Sequence, residues 1–161
     1  MQAPAGAGRI VCSQDLDVPS ERAFALLCEI DRWPVWMSFV RSARLADPAA
    51  PLGTAAEIIV ESTIPGDDDG VFEVEHFIAG HVLALVGLYS VRRRIDFRVE
   101  GLGLRSRLVV RLDYPAYGGI VGSLLDQVTA RPRLGRDLAA SLVHFKGLVE
   151  GDGAALGLDD L

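Results

Sequence analysis

The sequence predicts an α+β domain in which an antiparallel sheet is followed by one long C-terminal helix. Three observations carry this expectation. Several successive stretches alternate apolar and polar residues with the period of two that marks a half-buried strand. The last part of the chain carries an apolar stripe at helical spacing. Between the first alternating stretch and the others lies a short helical region, broken at Trp33-Pro34, that holds both tryptophans.

The elements follow in order. From Ile10 to Val18, Ile10, Cys12, Leu16 and Val18 fall on one side and Ser13, Asp15 and Asp17 on the other, with Gln14 a polar exception on the apolar side. Pro19-Ser20 opens a helix, with Ser20 as N-cap and Glu21 at the positive end of the helix dipole. Phe24, Leu27 and Cys28 continue it at helical spacing. Trp33-Pro34 is expected to end it, because a residue before proline avoids helical dihedrals. A second short helix is expected over Pro34 to Phe39, since proline is tolerated in a first turn.

Strand patterns resume at Thr54 to Glu61, where Ala56, Ile58 and Val60 oppose Glu57 and Glu61. A loop over Ile64 to Gly70 separates this from Val71 to Ile78, which sets Phe72, Val74, His76 and Ile78 against Glu73 and Glu75. Val82 to Val91 is almost wholly apolar, as expected of a strand covered on both faces. Arg93 to Val99 and Arg107 to Tyr114 should form a hairpin around Gly101–Ser106. The register pairing Glu100 with Arg107, Asp96 with Arg111 and Arg94 with Asp113 makes all three pairs opposite in sign, and like charges facing each other destabilise a sheet. Ile120 to Val128 reads as one amphipathic helical segment, and Pro132 either opens or kinks the next. There Leu134, Leu138, Leu142, Phe145 and Val149 form a single buried stripe. Residues 1–8 and 151–161 read as loose tails.

The bulk properties set bounds. At 161 residues, half of them apolar, the chain is expected to be one globular domain with a substantial core. A net charge of −6 argues against a nucleic-acid partner, which requires a basic footprint. Lys146 is the only lysine among 16 basic residues, an arginine bias of the kind GC-rich bacterial coding imposes. No apolar run is long enough to span a bilayer, and the start lacks the apolar segment of a signal peptide. A cytoplasmic location is the expectation. Cys12 and Cys28 have no metal-ligand spacing, and His76 and His81, five apart, would face opposite sides of an unbroken strand. No metal and no cofactor are expected. Gly101-Leu102-Gly103 lacks the third glycine of a dinucleotide loop, and neither a phosphate-binding loop nor a nucleophile elbow is present.

The motifs D-V-P-S-E-R-A-F at 17–24, W-P-x-W at 33–36 and L-x-x-x-L-x-x-F-K-x-x-x-E at 138–150 appear in the order strand, two short helices, strands, long helix. This arrangement, over residues 9–150, resembles the START-like, or Bet v 1-like (SRPBCC), superfamily, and within it the bacterial polyketide cyclase/dehydrase branch. The resemblance implies a helix-grip fold: a curved antiparallel sheet of about seven strands wrapped around the C-terminal helix, with a cavity for a hydrophobic molecule between them. It also implies that the segment of Trp33 and Trp36 lies near the mouth of that cavity.

Three functions are then open. The first is binding of a lipid-like or polyketide-like molecule in a cavity lined by Ile58, Val60, Phe72, Val74, Phe97, Val99, Val110, Leu112, Leu142 and Phe145, with Trp36 and Phe39 between core and pocket wall. His76 and Tyr114 would choose the ligand's orientation, with Tyr89 and Gln14 as further polar groups of the site. The second is a cyclase or dehydratase in the same cavity, in which His76 or Tyr114 would move protons. No motif assigns a catalytic residue. The third is a protein-interaction domain whose cavity has collapsed. The basic run from Arg92 to Arg111 is a candidate docking surface for an acidic carrier protein, the alternative being a solvated face neutralised by Asp96, Glu100 and Asp113. A homodimer is a further candidate assembly.

Overall fold

The six strand segments read from the sequence, joined by a seventh at residues 40–45, form the sheet of a computed structural model that describes residues 8–63, 70–88, 93–114 and 131–159. The strands are β1 (Gly8–Leu16), β2 (Val40–Leu45), β3 (Glu57–Ser62), β4 (Gly70–Ile78), β5 (Val82–Gly87), β6 (Arg94–Leu102) and β7 (Arg105–Tyr114). All pairings are antiparallel, in the order β1-β7-β6-β5-β4-β3-β2, so only β1 breaks the sequential meander. The chain crosses from β1 to β2 through α1 (Ser20–Leu27), a 3-10 turn (Ile30–Arg32) and α2 (Trp33–Trp36), and ends in α3 (Arg131–Asp159). Tyr89, Arg92, the Ile120–Val128 segment, the 64–69 turn and most of the N-terminal arm lie outside the described residues.

The sheet curls around α3, whose stripe of Leu138, Leu142, Phe145 and Val149 is fully buried against the concave face. That face presents Ile58, Phe72, Val74, Leu83, Leu85, Phe97, Val99, Leu108, Val110 and Leu112, all buried. Near its C-terminal end α3 is pinned to the β1–α1 corner: the Asp17 N–H donates to Glu150 Oε1 at 2.8 Å, and Lys146 bridges Glu150 and Asp17. Helix α3 opens with Pro132 in its first turn. It runs on to Asp159 through residues expected to form a loose tail, because extending an existing helix adds one hydrogen bond per residue fixed.

Local differences from the sequence expectations have identifiable causes. Pro19, not Ser20, occupies the N-cap of α1. Ser20 instead faces the β6–β7 hairpin, where a Cβ on Gly101 would stand 3.3 Å from its Oγ. Helix α1 stops at Cys28, before Trp33-Pro34. Trp33 keeps helical dihedrals (φ −53°, ψ −39°) despite the proline after it. Its indole is buried and its Nε1–H donates to Leu27 O at 2.9 Å, which holds the backbone in that geometry. The second helix ends at Trp36, and β2 begins at Val40.

The β6–β7 register is the one charge complementarity selects: Glu100 faces Arg107, Asp96 faces Arg111 and Arg94 faces Asp113. On the convex face Asp96 is only 4% exposed. Arg111 Nη2 donates to its Oδ2 at 2.6 Å, and Arg94 contacts it while reaching across β5 to Glu75. Replacing Asp96 by Ala strands two partly buried guanidinium groups. Urea unfolding of Asp96→Ala is expected to show a loss of about 2–4 kcal/mol, against about 0–1 kcal/mol for a solvated pair.

Cys28, half-buried behind α1, has its thiol pushed up to about 11 by burial. The folded chain therefore holds this proton after the unfolded chain has lost it. The contribution is complete below pH 9.0 and is lost as pH rises toward 11. The denaturation midpoint is expected to fall over that range, and Cys28→Ala is expected to flatten the fall.

Candidate functional site

The site is built from the inward side chains of the strands and the apolar stripe of α3. Ile58, Phe72, Val74, Phe97, Val99, Val110, Leu112, Leu142 and Phe145 are brought together on the two facing walls, as the alternation implies. The two ends of this interior differ. At one end Leu16, Phe24, Leu27, Trp33, Val99 and Leu108 are packed solid, and Ser106 Oγ closes the corner by donating to Val18 O at 2.8 Å. At the other end the inward residues Cys12, Val60, Ile95 and Leu134, together with Phe39, are only half-buried. There the first turns of α3 approach β1, with Cys12 Sγ 3.9 Å from Gly135 O.

Aromatic rings make a floor midway through the interior, at Phe97 between Ile95 and Val99. Trp36 stands edge-on to Phe145, with centroids 4.9 Å apart and planes at 76°, and to Phe97 at 6.4 Å and 78°. Trp33 leans on Phe97 from the sealed side at 5.8 Å. The two indoles differ in one respect. Trp33 Nε1 is satisfied by Leu27 O, whereas Trp36 Nε1 is buried with no hydrogen-bond acceptor among the described residues. A buried donor left unpaired costs about 1–3 kcal/mol. Nearby, Ser141 Oγ accepts the Ser38 N–H at 3.3 Å and donates to Asp137 O at 2.8 Å, tying α3 to the segment after α2.

The polar candidates fare differently from the apolar ones. His76 is exposed, not inward. The β4–β5 register shifts between Val74 and His76, so Glu75 is an extra residue on β4. Beyond this bulge the faces swap. Phe77 turns inward to meet Phe24 with ring centroids 5.7 Å apart, and both His76 and Ile78 face solvent. His81 and His144 are exposed as well. Gln14 lies on the inner side of β1 but spends its amide locally, donating to Asp15 O at 3.1 Å. The backbone of Tyr114 pairs with Gly8 at the half-buried end, and its side chain, like Tyr89, lies outside the described residues. Burial raises the Cys12 thiol above its ordinary range, which keeps it protonated and a poor nucleophile.

The basic patch is largely neutralised. Arg94 meets Glu75 and Asp96, Arg105 meets Asp17, Arg107 meets Asp15, and Arg111 meets Asp96. Arg107 thus turns to β1 instead of its facing residue Glu100, as Asp113 turns to Arg9 at 2.7 Å. Such pairing favours the solvated sheet face over a docking surface for an acidic carrier protein. Among the described residues, no group of three or more His, Cys, Asp or Glu is placed to hold a metal ion, and no helix is long and apolar enough to cross a membrane. A groove of about 370 Å³ lies outside the sheet–helix interior, at the β2–β3 connection. Leu45, Ala50, Ala55 and Glu57 are among its lining residues.

Comparison with known proteins agrees with this geometry. The fold matches TTHA0849, a protein from Thermus thermophilus, at a TM-score of 0.74 and 15% identity, over 90% of this chain and 99% of that one. It matches the ZhuI aromatase/cyclase from Streptomyces sp. R1128 at 0.69 and 13%, over 89% and 94%. A START superfamily protein from Mycobacterium smegmatis matches at 0.62 and 17%, over 89% and 97%. No curated protein matches by sequence. A family model described as polyketide cyclase/dehydrase and lipid transport matches residues 8–150. With that match spanning the sheet and the gripped part of α3, the chain belongs to the polyketide cyclase/dehydrase and lipid transport family, and its helix-grip fold is the one it shares with the START superfamily protein.

Proposed function

We propose that this protein binds a hydrophobic small molecule, lipid-like or polyketide-like, in the interior between the sheet and α3. The observation that carries this reading is the asymmetry of that interior. One end is sealed by buried side chains, while at the other the inward-facing Val60, Ile95 and Leu134, and Phe39 with them, remain half-buried. A ligand covering them removes apolar surface from water, worth about 25 cal/mol per Å² before ordering costs. Ile58, Val110, Leu112 and Leu142 continue the apolar wall inward from that entrance.

Among the described residues, the placement of the histidines favours binding over catalysis. Proton transfer needs an acid or base within hydrogen-bond reach of the reacting atoms. All three histidines face solvent, and the bulge at Glu75 takes His76 out of the interior. A cyclase role is the second reading, supported by the family description and by the likeness to an aromatase/cyclase.

Titration with a fluorescent fatty acid and a panel of aromatic polyketides tests the reading. Saturable one-to-one binding is expected. Ile95→Trp and Val60→Trp, which narrow the entrance without touching the sealed core, are expected to weaken it about tenfold or more. His76→Ala is expected to leave affinity within about twofold. Failure of every probe to bind would remove the binding reading, and turnover of a poly-β-keto substrate would favour the second.

A further inference from the structure

The floor of the interior contains one polar atom that the fold leaves unused. Trp36 Nε1 is fully buried between the sheet, through Phe97, and α3, through Phe145, and has no acceptor among the described residues. Its neighbour in sequence, Trp33, shows that the local backbone can satisfy an indole, since Trp33 Nε1 donates to Leu27 O. The indole packs edge-on to the phenyl rings of Phe97 and Phe145, and a π face accepts a hydrogen bond only weakly. An apolar residue would fill the same place without an orphaned donor, so the indole is explained better by an acceptor that arrives with a ligand.

We infer that the Trp36 indole N–H is the specificity donor of this interior, hydrogen-bonding a carbonyl oxygen of the bound molecule. The inference rests on the binding reading above and adds a ligand chemistry to it. The rings of Phe97 and Phe145 stand edge-on to the Trp36 indole, aromatic surroundings that suit a flat, unsaturated ring system carrying a ketone. An acyl chain covers the same walls but brings no acceptor to the floor. Trp36 is thus a positioning residue: it fixes which end of the ligand goes in first and moves no proton.

The probes are fluorene and 9-fluorenone, equal in shape and differing in the carbonyl. After correction for each compound's water-to-octanol partition, the native protein is expected to prefer fluorenone by about 3- to 20-fold. Trp36→Phe, which keeps an aromatic ring against Phe97 and Phe145, is expected to erase that preference while still binding fluorene. A second readout uses the native chain, whose two tryptophans give two indole N–H resonances. Fluorenone is expected to shift the Trp36 resonance downfield and leave the Trp33 resonance in place, and fluorene is expected to do neither. Equal corrected affinities, a preference that survives Trp36→Phe, or a Trp36 resonance indifferent to fluorenone would overturn the donor role with the binding reading intact. Binding of neither probe would overturn the donor role for a ketone-bearing ring system, and the fatty-acid titration above then decides separately whether the binding reading stands.

Discussion

The structure depends on one contact: the apolar stripe of α3 seated in the concave face of the sheet, with Phe145 against Trp36 and Trp36 against Phe97. A curled sheet exposes its inner face unless something fills it, and a helix in a folded protein draws most of its stability from packing its apolar face. Each half supplies what the other lacks. The short helices between β1 and β2 belong to the same arrangement, because α2 delivers Trp36 into the seam. Truncating Phe145 would remove the ring that both walls share, a change of the kind that costs about 3–5 kcal/mol.

The convex face is organised by charge instead of by packing. Asp96 at its centre is held between Arg94 and Arg111, and the ladder runs outward to Glu75 on one side and to Asp113 and Arg9 on the other. These links span β4, β5, β6, β7 and β1. They specify register, since a slip by one residue would set Phe97 against Arg111 or Asp96 against Val110, and a slip by two would set Asp96 against Asp113 or Arg94 against Arg111. At Arg94 burial works against the charge, but Asp96 and Glu75 outweigh it and hold the guanidinium above its ordinary pKa. At Arg9 the side-chain hydrogen bond to Asp113 leads the same upward shift.

Much of this fold was legible in the sequence because it is periodic. The β6–β7 register followed from sign complementarity alone, and the Leu138–Val149 stripe followed from helical spacing. What escaped is what interrupts a period. Residues 40–45, VRSARL, gave no clean alternation because β2 shifts register between Val40 and Ser42. The bulge at Glu75 leaves no mark in the alternation of Phe72 to Glu75 that leads into it, so His76 and Ile78 were read as inward. The helical geometry of Trp33 depends on a tertiary hydrogen bond to Leu27 O, which no local rule supplies. The walls of the candidate site were therefore readable and its polar atoms were not. Apolar walls follow the strand period, whereas the orphaned indole of Trp36 is visible only once its surroundings are known.

A sheet that grips a helix yet leaves one end half-buried can serve as a container, and the family to which the chain belongs includes lipid transport and polyketide chemistry. That role needs a rigid seam beside an accessible entrance. Native-state hydrogen exchange tests the seam most directly. The account predicts that the amides of 138–149 in α3 and 95–99 in β6 open with the same free energy and the same denaturant dependence, as one unit. Exchange of the α3 amides well below that of β6, with a shallow denaturant slope, would show a helix that leaves the sheet on its own and would contradict the account.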